Sequence, residues 1–216
     1  MFRQDLPLEI ENFLSPNDCE LLISYYKDNL KIKSKYYEKT GPDSFWNNRT
    51  VPLDDIVYNN IRTMVEDLHY RIVCATCRYY NEEYIYPEFS NLVYWGSGMV
   101  LNPHCDNIHI HNPEQEHNTA QRDYSAVLCL NEDYEGGHTI FPEHGKEYPG
   151  KTGRLIIFPS GRSHPHGVTE VTSGSRYTFA MWMTKDKEYI FKVNDVKGLT
   201  NVLKNAIKNM KQLWKR

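Results

Sequence analysis

Between residues 88 and 183 the chain breaks into short β-favouring runs separated by Gly, Pro and Asn. No other stretch restricts the fold as much, because short runs with turn signals between them lead to a sandwich or a barrel. The pattern predicts strands near 88–95, 99–106, 124–130, 137–141, 153–158, 165–171 and 176–183. Upstream, Ile10–Leu14 reads as a short strand. Ser15 then caps a helix that has Pro16 at its first position and Leu21, Leu22, Tyr25 and Tyr26 on its apolar face. A second helix is expected over residues 53–78, where Ile56, Ile61, Val65, Leu68, Ile72 and Val73 repeat at helical spacing behind Asp54 and Asp55. The two helices are expected to cover one face of a sheet. Residues 31–50 are rich in Lys, Tyr and Asn and read as irregular. Phe45, Trp46 and Arg49 in that segment read as packing beneath a loop rather than as the rim of a site.

The tail from Gly198 to Arg216 predicts one more helix. Leu199, Leu203, Ala206, Ile207, Met210, Leu213 and Trp214 share a face, and four lysines lie elsewhere around it. That face is expected to dock on the core or on a second subunit, with membrane-surface or nucleic-acid binding as the lesser alternative. A net charge of −3 gives no general pull towards nucleic acid or membrane. The absence of a long apolar run or leader-like start, with five scattered cysteines, predicts a cytoplasmic protein without a disulfide framework. Cys74-x-x-Cys77 falls in a helix without a second pair and reads as structural rather than as a zinc site. The expected class is mainly β with flanking helices, in a single domain over residues 1–216. Within it, 1–87 form a helical support, 88–184 the β core and 185–216 a helical extension.

The chemistry concentrates in His104-x-Asp106. Side chains alternate along a strand, so His104 and Asp106 are expected on one face, where an imidazole and a carboxylate can share a divalent metal. His166 in Ser163-His-Pro-His-Gly-Val168 is the best third ligand. Pro165 places His164 at the strand entrance, nearer the substrate side, and His166 inside the strand. Two His and one carboxylate with open positions are the ligand set of non-haem Fe(II) oxygenases. Arg176, ten residues on, can pair a carboxylate in bidentate fashion. The polar stretch from Asn107 to Arg122 carries His109, His111 and His117 and reads as a solvated loop or a lid. A second metal site at His109-x-His111 lacks an evident third ligand.

From Ile10 to Thr184 the chain resembles the prolyl-4-hydroxylase-type Fe(II)/2-oxoglutarate-dependent dioxygenases. The resemblance rests on the Phe13–Leu21 helix entry, Tyr94, His104-x-Asp106, Arg122, Glu135-Gly-Gly-His-Thr-Ile-Phe-Pro142, Gly153-Arg-Leu-Ile-Ile-Phe-Pro-Ser160, His166-Gly-Val168, Gly174-Ser-Arg-Tyr177 and Trp182, in that order. It implies a double-stranded β-helix (jelly roll) in which His104, Asp106 and His166 hold Fe(II). Arg176 would pair with the far carboxylate of 2-oxoglutarate, and Tyr94, Tyr124 and Thr178 would complete that pocket. Arg122, Trp182 and His164 would lie towards the substrate. The implied reaction consumes O2, decarboxylates 2-oxoglutarate to succinate and hydroxylates a peptide or protein residue, above all proline, with ascorbate as an auxiliary reductant. Leu101, Cys129 and His138 depart from the residue types common in this branch, and they alter the pocket wall rather than the three ligands. Two alternatives stand beside this reading. One keeps the cofactors but takes a free amino acid or another small molecule. The other is a non-catalytic jelly-roll module with a metal, or cupin-like metal chemistry.

Overall fold

The computed structural model describes residues 6–30, 46, 49–53 and 60–190. The helix expected over 198–216 therefore lies outside the described residues.

Eleven strands and two α-helices build the described fold. They are β1 (Leu8–Ile10), α1 (Pro16–Asn29), β2 (Thr50–Pro52), α2 (Asn60–Tyr80), β3 (Tyr86–Gly96), β4 (Leu101–His104), β5 (Tyr124–Cys129), β6 (Tyr134–Gly136), β7 (Thr139–Phe141), β8 (Lys146–Tyr148), β9 (Leu155–Pro159), β10 (His166–Val168) and β11 (Val171–Thr184). Seven strands form a major sheet in the order β1-β9-β5-β11-β3-β2, with β6 paired to the start of β11. Four form a minor sheet in the order β4-β10-β7-β8. Every pairing is antiparallel. Two facing sheets with these crossovers make the expected double-stranded β-helix.

The helices cover one face of the major sheet. Ser15 caps α1 by accepting from the Asp18 backbone N–H at 3.2 Å. Cys19, Leu22 and Tyr26 face inward, whereas Leu21, expected on that face, is 49% exposed. α2 buries Val65, Leu68, Ile72 and Val73 as its spacing requires. Its described span is Asn60–Tyr80, Leu53 itself lies in a bend after β2, and the expected stretch from 54 to 59 lies outside the described residues.

β11 decides what faces what. Phe179, Met181 and Met183 point towards the helices and join their core. Arg176, Thr178, Ala180 and Trp182 point the other way, into a pocket between the two sheets. Strand alternation alone thus separates an oily support from a functional interior.

Several expectations need correction. The 99–106 strand is only Leu101–His104, so Asp106 lies beyond the sheet. A loop hydrogen bond from its N–H to the Ser160 carbonyl, 2.9 Å, fixes Asp106 instead of a ladder. β2 starts at the last residue of the segment read as irregular, and neither it nor β6 or β8 was expected.

Candidate metal centre

The centre starts from a register. His104 at the end of β4 stands opposite His166 at the start of β10. Asp106 turns back towards both after the strand ends. One ligand atom from each of His104, Asp106 and His166 lies within 4.8 Å of the others, and this is the only such three-residue cluster among the described residues. Nε2 of His104 is 3.4 Å from Asp106 Oδ1, and Nε2 of His166 is 3.6 Å from Oδ2. These separations exceed ordinary hydrogen bonds and leave a shared space between the three atoms.

Both imidazoles are oriented from behind. Nδ1 of His104 lies 3.2 Å from the Asn102 carbonyl, and Nδ1 of His166 lies 3.2 Å from the His164 carbonyl. A carbonyl can only accept, so each Nδ1 carries the proton and each Nε2 presents its lone pair inward. Asp106 Oδ2 accepts from Ser125 Oγ at 2.6 Å, and Ser125 in turn lies 2.7 Å from Ser160 Oγ. Donor types, tautomers and outer hydrogen bonds all fit a divalent cation of the iron kind.

For Asp106 and His166 electrostatics point the same way. Burial opposes ionisation of Asp106, but His166, His104 and Arg122 outweigh it and hold the carboxyl well below the usual range. Burial pushes His166 down to about 4, which keeps its lone pair free at neutral pH. For His104 burial acts downward too, but the neighbouring Asp106 prevails and the net shift is upward.

Arg176 is the other polar feature of the pocket. It is 3% exposed, and no carboxylate among the described residues pairs with it. One guanidinium nitrogen donates to Thr139 Oγ1 at 3.1 Å, while Nε has no hydrogen-bond partner. A buried cation so placed fits an anionic ligand group. Thr178 lies on the same wall. The rest of the lining is dominated by apolar side chains such as Val93, Trp95, Phe158 and Trp182.

Tyr94 and Tyr124 are not in this pocket. Tyr94 packs on Tyr26 and Tyr177, with ring centroids 6.2 and 5.4 Å away, on the helix side of β3. The Tyr124 hydroxyl donates to Glu82 at 2.6 Å, again on the helix side. Their strand neighbours Val93, Trp95 and Ser125 occupy the pocket face. His164 is buried beside His144, with ring centroids 4.4 Å apart, and serves the centre through its carbonyl rather than by facing a substrate space. Arg122 is bound to Glu88 at 3.0 Å and stacks 4.1 Å from the Trp182 ring, so it backs the pocket wall instead of lining it. Ser125, Thr139, Trp46 and Trp95 are pocket residues that sequence reasoning missed or set aside. The polar Ser125 inside the apolar β5 run was the one available signal.

In the 107–122 loop, His109 and His117 lie 4.6 Å apart between ring centroids. With His111 they border an open cleft beside His104. No third ligand joins them among the described residues.

Residues 89–184 match the family described as the 2OG-Fe(II) oxygenase superfamily. The matched stretch carries His104, Asp106, His166 and Arg176. The family's description names Fe(II) and 2-oxoglutarate. A 73-residue stretch is 47% identical to human prolyl 3-hydroxylase 2, covering 32% of this chain and 10% of that protein. Chicken prolyl 3-hydroxylase 1 is 44% identical over the same length and share. The chain thus matches about a tenth of the length of these curated relatives. Among solved structures, the fold is shared with a Pseudomonas putida prolyl-4-hydroxylase (TM-score 0.59, 16% identity, 83% of this chain and 92% of that one). It is also shared with a Trichoplax adhaerens prolyl hydroxylase in complex with a hypoxia inducible factor oxygen degradation domain peptide fragment (0.60, 18%, 85% of each). No helix among the described residues is long and apolar enough to cross a membrane.

Proposed function

We propose that this chain is an Fe(II)- and 2-oxoglutarate-dependent dioxygenase that hydroxylates a proline in a peptide or protein. One observation carries the cofactor half: three converging ligand atoms share a pocket with a buried arginine that no carboxylate among the described residues neutralises. In this reading His104, Asp106 and His166 hold the metal. Arg176, with Thr139 and Thr178 beside it, takes the distal carboxylate of 2-oxoglutarate. The bound metal and co-substrate supply oxidative decarboxylation coupled to C–H hydroxylation, with ascorbate as the auxiliary reductant. The chain's own residues do the rest. The two carbonyl-held imidazoles keep a fixed direction, Ser125 holds the Asp106 carboxylate, and the apolar walls exclude water from the reacting centre.

Proline as the substrate residue rests on the prolyl hydroxylases to which the chain is similar. The position hydroxylated is a separate choice. The sequence similarity to prolyl 3-hydroxylases 1 and 2 supports C3. The test is to incubate the protein with Fe(II), 2-oxoglutarate, ascorbate and a proline-containing peptide library. Succinate formation with a 16 Da gain on proline supports the reading, and hydrolysis with chromatography separates 3- from 4-hydroxyproline. Succinate released with free amino acids but with no peptide would transfer the activity to small molecules.

A further inference from the structure

Arg176 shares a neighbour with a second buried guanidinium. Trp95 on β3 stands directly opposite Arg176 on β11, and the Arg176 Cζ lies 5.1 Å from the Trp95 ring centroid. The Arg49 Cζ lies 4.4 Å from the same centroid. Arg49 is itself fixed to β3 twice: its carbonyl accepts from Tyr94 N–H at 2.9 Å, and its Nε donates to the Tyr94 carbonyl at 3.2 Å. Trp46, three residues earlier, meets Trp95 edge-on, with centroids 6.1 Å apart and planes at 89°. Trp46, Trp95 and Arg176 all line the pocket, whereas Arg49 does not.

We propose that Arg49 is a positioning residue for the co-substrate, clamping the Trp95 indole that serves as the platform for the Arg176 guanidinium. The inference rests on the assignment of Arg176 to 2-oxoglutarate. Its physical basis is geometric. A cation held over an indole face is attracted to it, and a bound guanidinium also restrains the tilt of the ring. On its far side Arg176 bonds to Thr139, has Tyr134 as a second hydrogen-bonding neighbour, and passes Gly137 so closely that an added Cβ there would come 3.1 Å from Arg176 Cδ. The platform shares with these contacts in setting where the guanidinium points. Burial pushes Arg49 down to about 10, with the neighbouring Arg176 acting the same way, so Arg49 remains charged at neutral pH. A segment that sequence patterning assigns to a loop thereby acts on the far end of the pocket.

The test is a double-mutant cycle read by calorimetric titration of Mn(II)-loaded protein. The two ligands are 2-oxoglutarate and 2-oxobutanoate, which lacks the distal carboxylate. Arg49→Ala is expected to weaken 2-oxoglutarate about tenfold and to leave 2-oxobutanoate unchanged, because only the former reaches Arg176. In an Arg176→Ala background the same change is expected to cost less than about twofold. Arg49→Lys keeps the charge but loses the planar stack, and should fall between wild type and Arg49→Ala. It also serves as the variant to read if Arg49→Ala fails to fold. Equal weakening of both ligands, additive losses in the double variant, or no loss at all would overturn the inference. Absence of 2-oxoglutarate binding by the wild type would instead overturn the co-substrate assignment itself, and would be seen before any variant was made.

Discussion

Arg176 is a buried charge with no carboxylate beside it among the described residues. An uncompensated buried cation is a cost to the ligand-free fold and a gain once an anion arrives. Arg176→Met is therefore expected to leave the melting temperature of the ligand-free protein unchanged or raised. It should also abolish the stabilisation that 2-oxoglutarate gives the Mn(II)-loaded wild type, about 2.7 kcal/mol at a hundredfold excess over Kd. Thermal melts with and without ligand check both halves. His69 carries a different single-residue prediction. It is 3% exposed in the helix–sheet core, 2.8 Å from Ser90 Oγ, and burial pushes it down to about 4. As pH falls below about 6.5 the unfolded chain takes up a proton that the folded chain refuses, so stability is lost between there and pH 4. The loss attributable to His69 should reach about 2 kcal/mol by pH 5. Urea unfolding of wild type and His69→Gln at pH 7 and pH 5 measures it; an equal loss in both would remove His69 as the cause. Residue types near the site were readable before its strand faces were. His104, Asp106, His166 and Arg176 stand out by chemistry, but Tyr94 and Tyr124 fell on the wrong face. β3 and β5 are buried for most of their length on both sides, so no polar–apolar alternation marks the inward parity.

At the level of elements, the centre depends on how closely β4 and β10 approach. Gly167 sits between His166 and Val168, and an added Cβ would lie 2.6 Å from the Leu101 carbonyl oxygen and 3.1 Å from Pro103 N. Those are backbone atoms, so the strands would have to part. Gly167→Ala is expected to lower metal affinity about tenfold or more while the protein stays folded. Gly161→Ala, whose nearest neighbour would be 3.4 Å away on the Asn107 side chain, is the control. Competition with a chelator reads both, and equal affinities would show that strand approach does not govern the centre. Long elements were legible from periodicity. α2 shows its buried stripe over 21 residues, and β11 runs for 14. β2, β6 and β8 are three residues each, too short for any period to register. Asp106 escaped the strand expected for it because its place is set by Ser160, far away in sequence.

For the molecule as a whole, the division of labour is between two faces of one sheet. Helices α1 and α2 seal the first, and the minor sheet closes over the second to leave a pocket with the ligands at one end and Arg176 on its wall. The short runs with turn signals after residue 88 pointed to a sandwich or a barrel, and the jelly roll itself was implied by the family resemblance. What it could not show is that Trp46 lines the pocket and that Arg49 packs against Trp95 behind it. That depends on packing against Trp95, which no local period encodes. The central claim is that one pocket binds Fe(II) and 2-oxoglutarate together. Its most direct test is the visible spectrum of the anaerobic Fe(II)-loaded protein before and after adding 2-oxoglutarate. A weak new band in wild type is expected, absent in His166→Ala and needing more 2-oxoglutarate in Arg176→Ala. No band in wild type with iron shown to be bound would contradict the account.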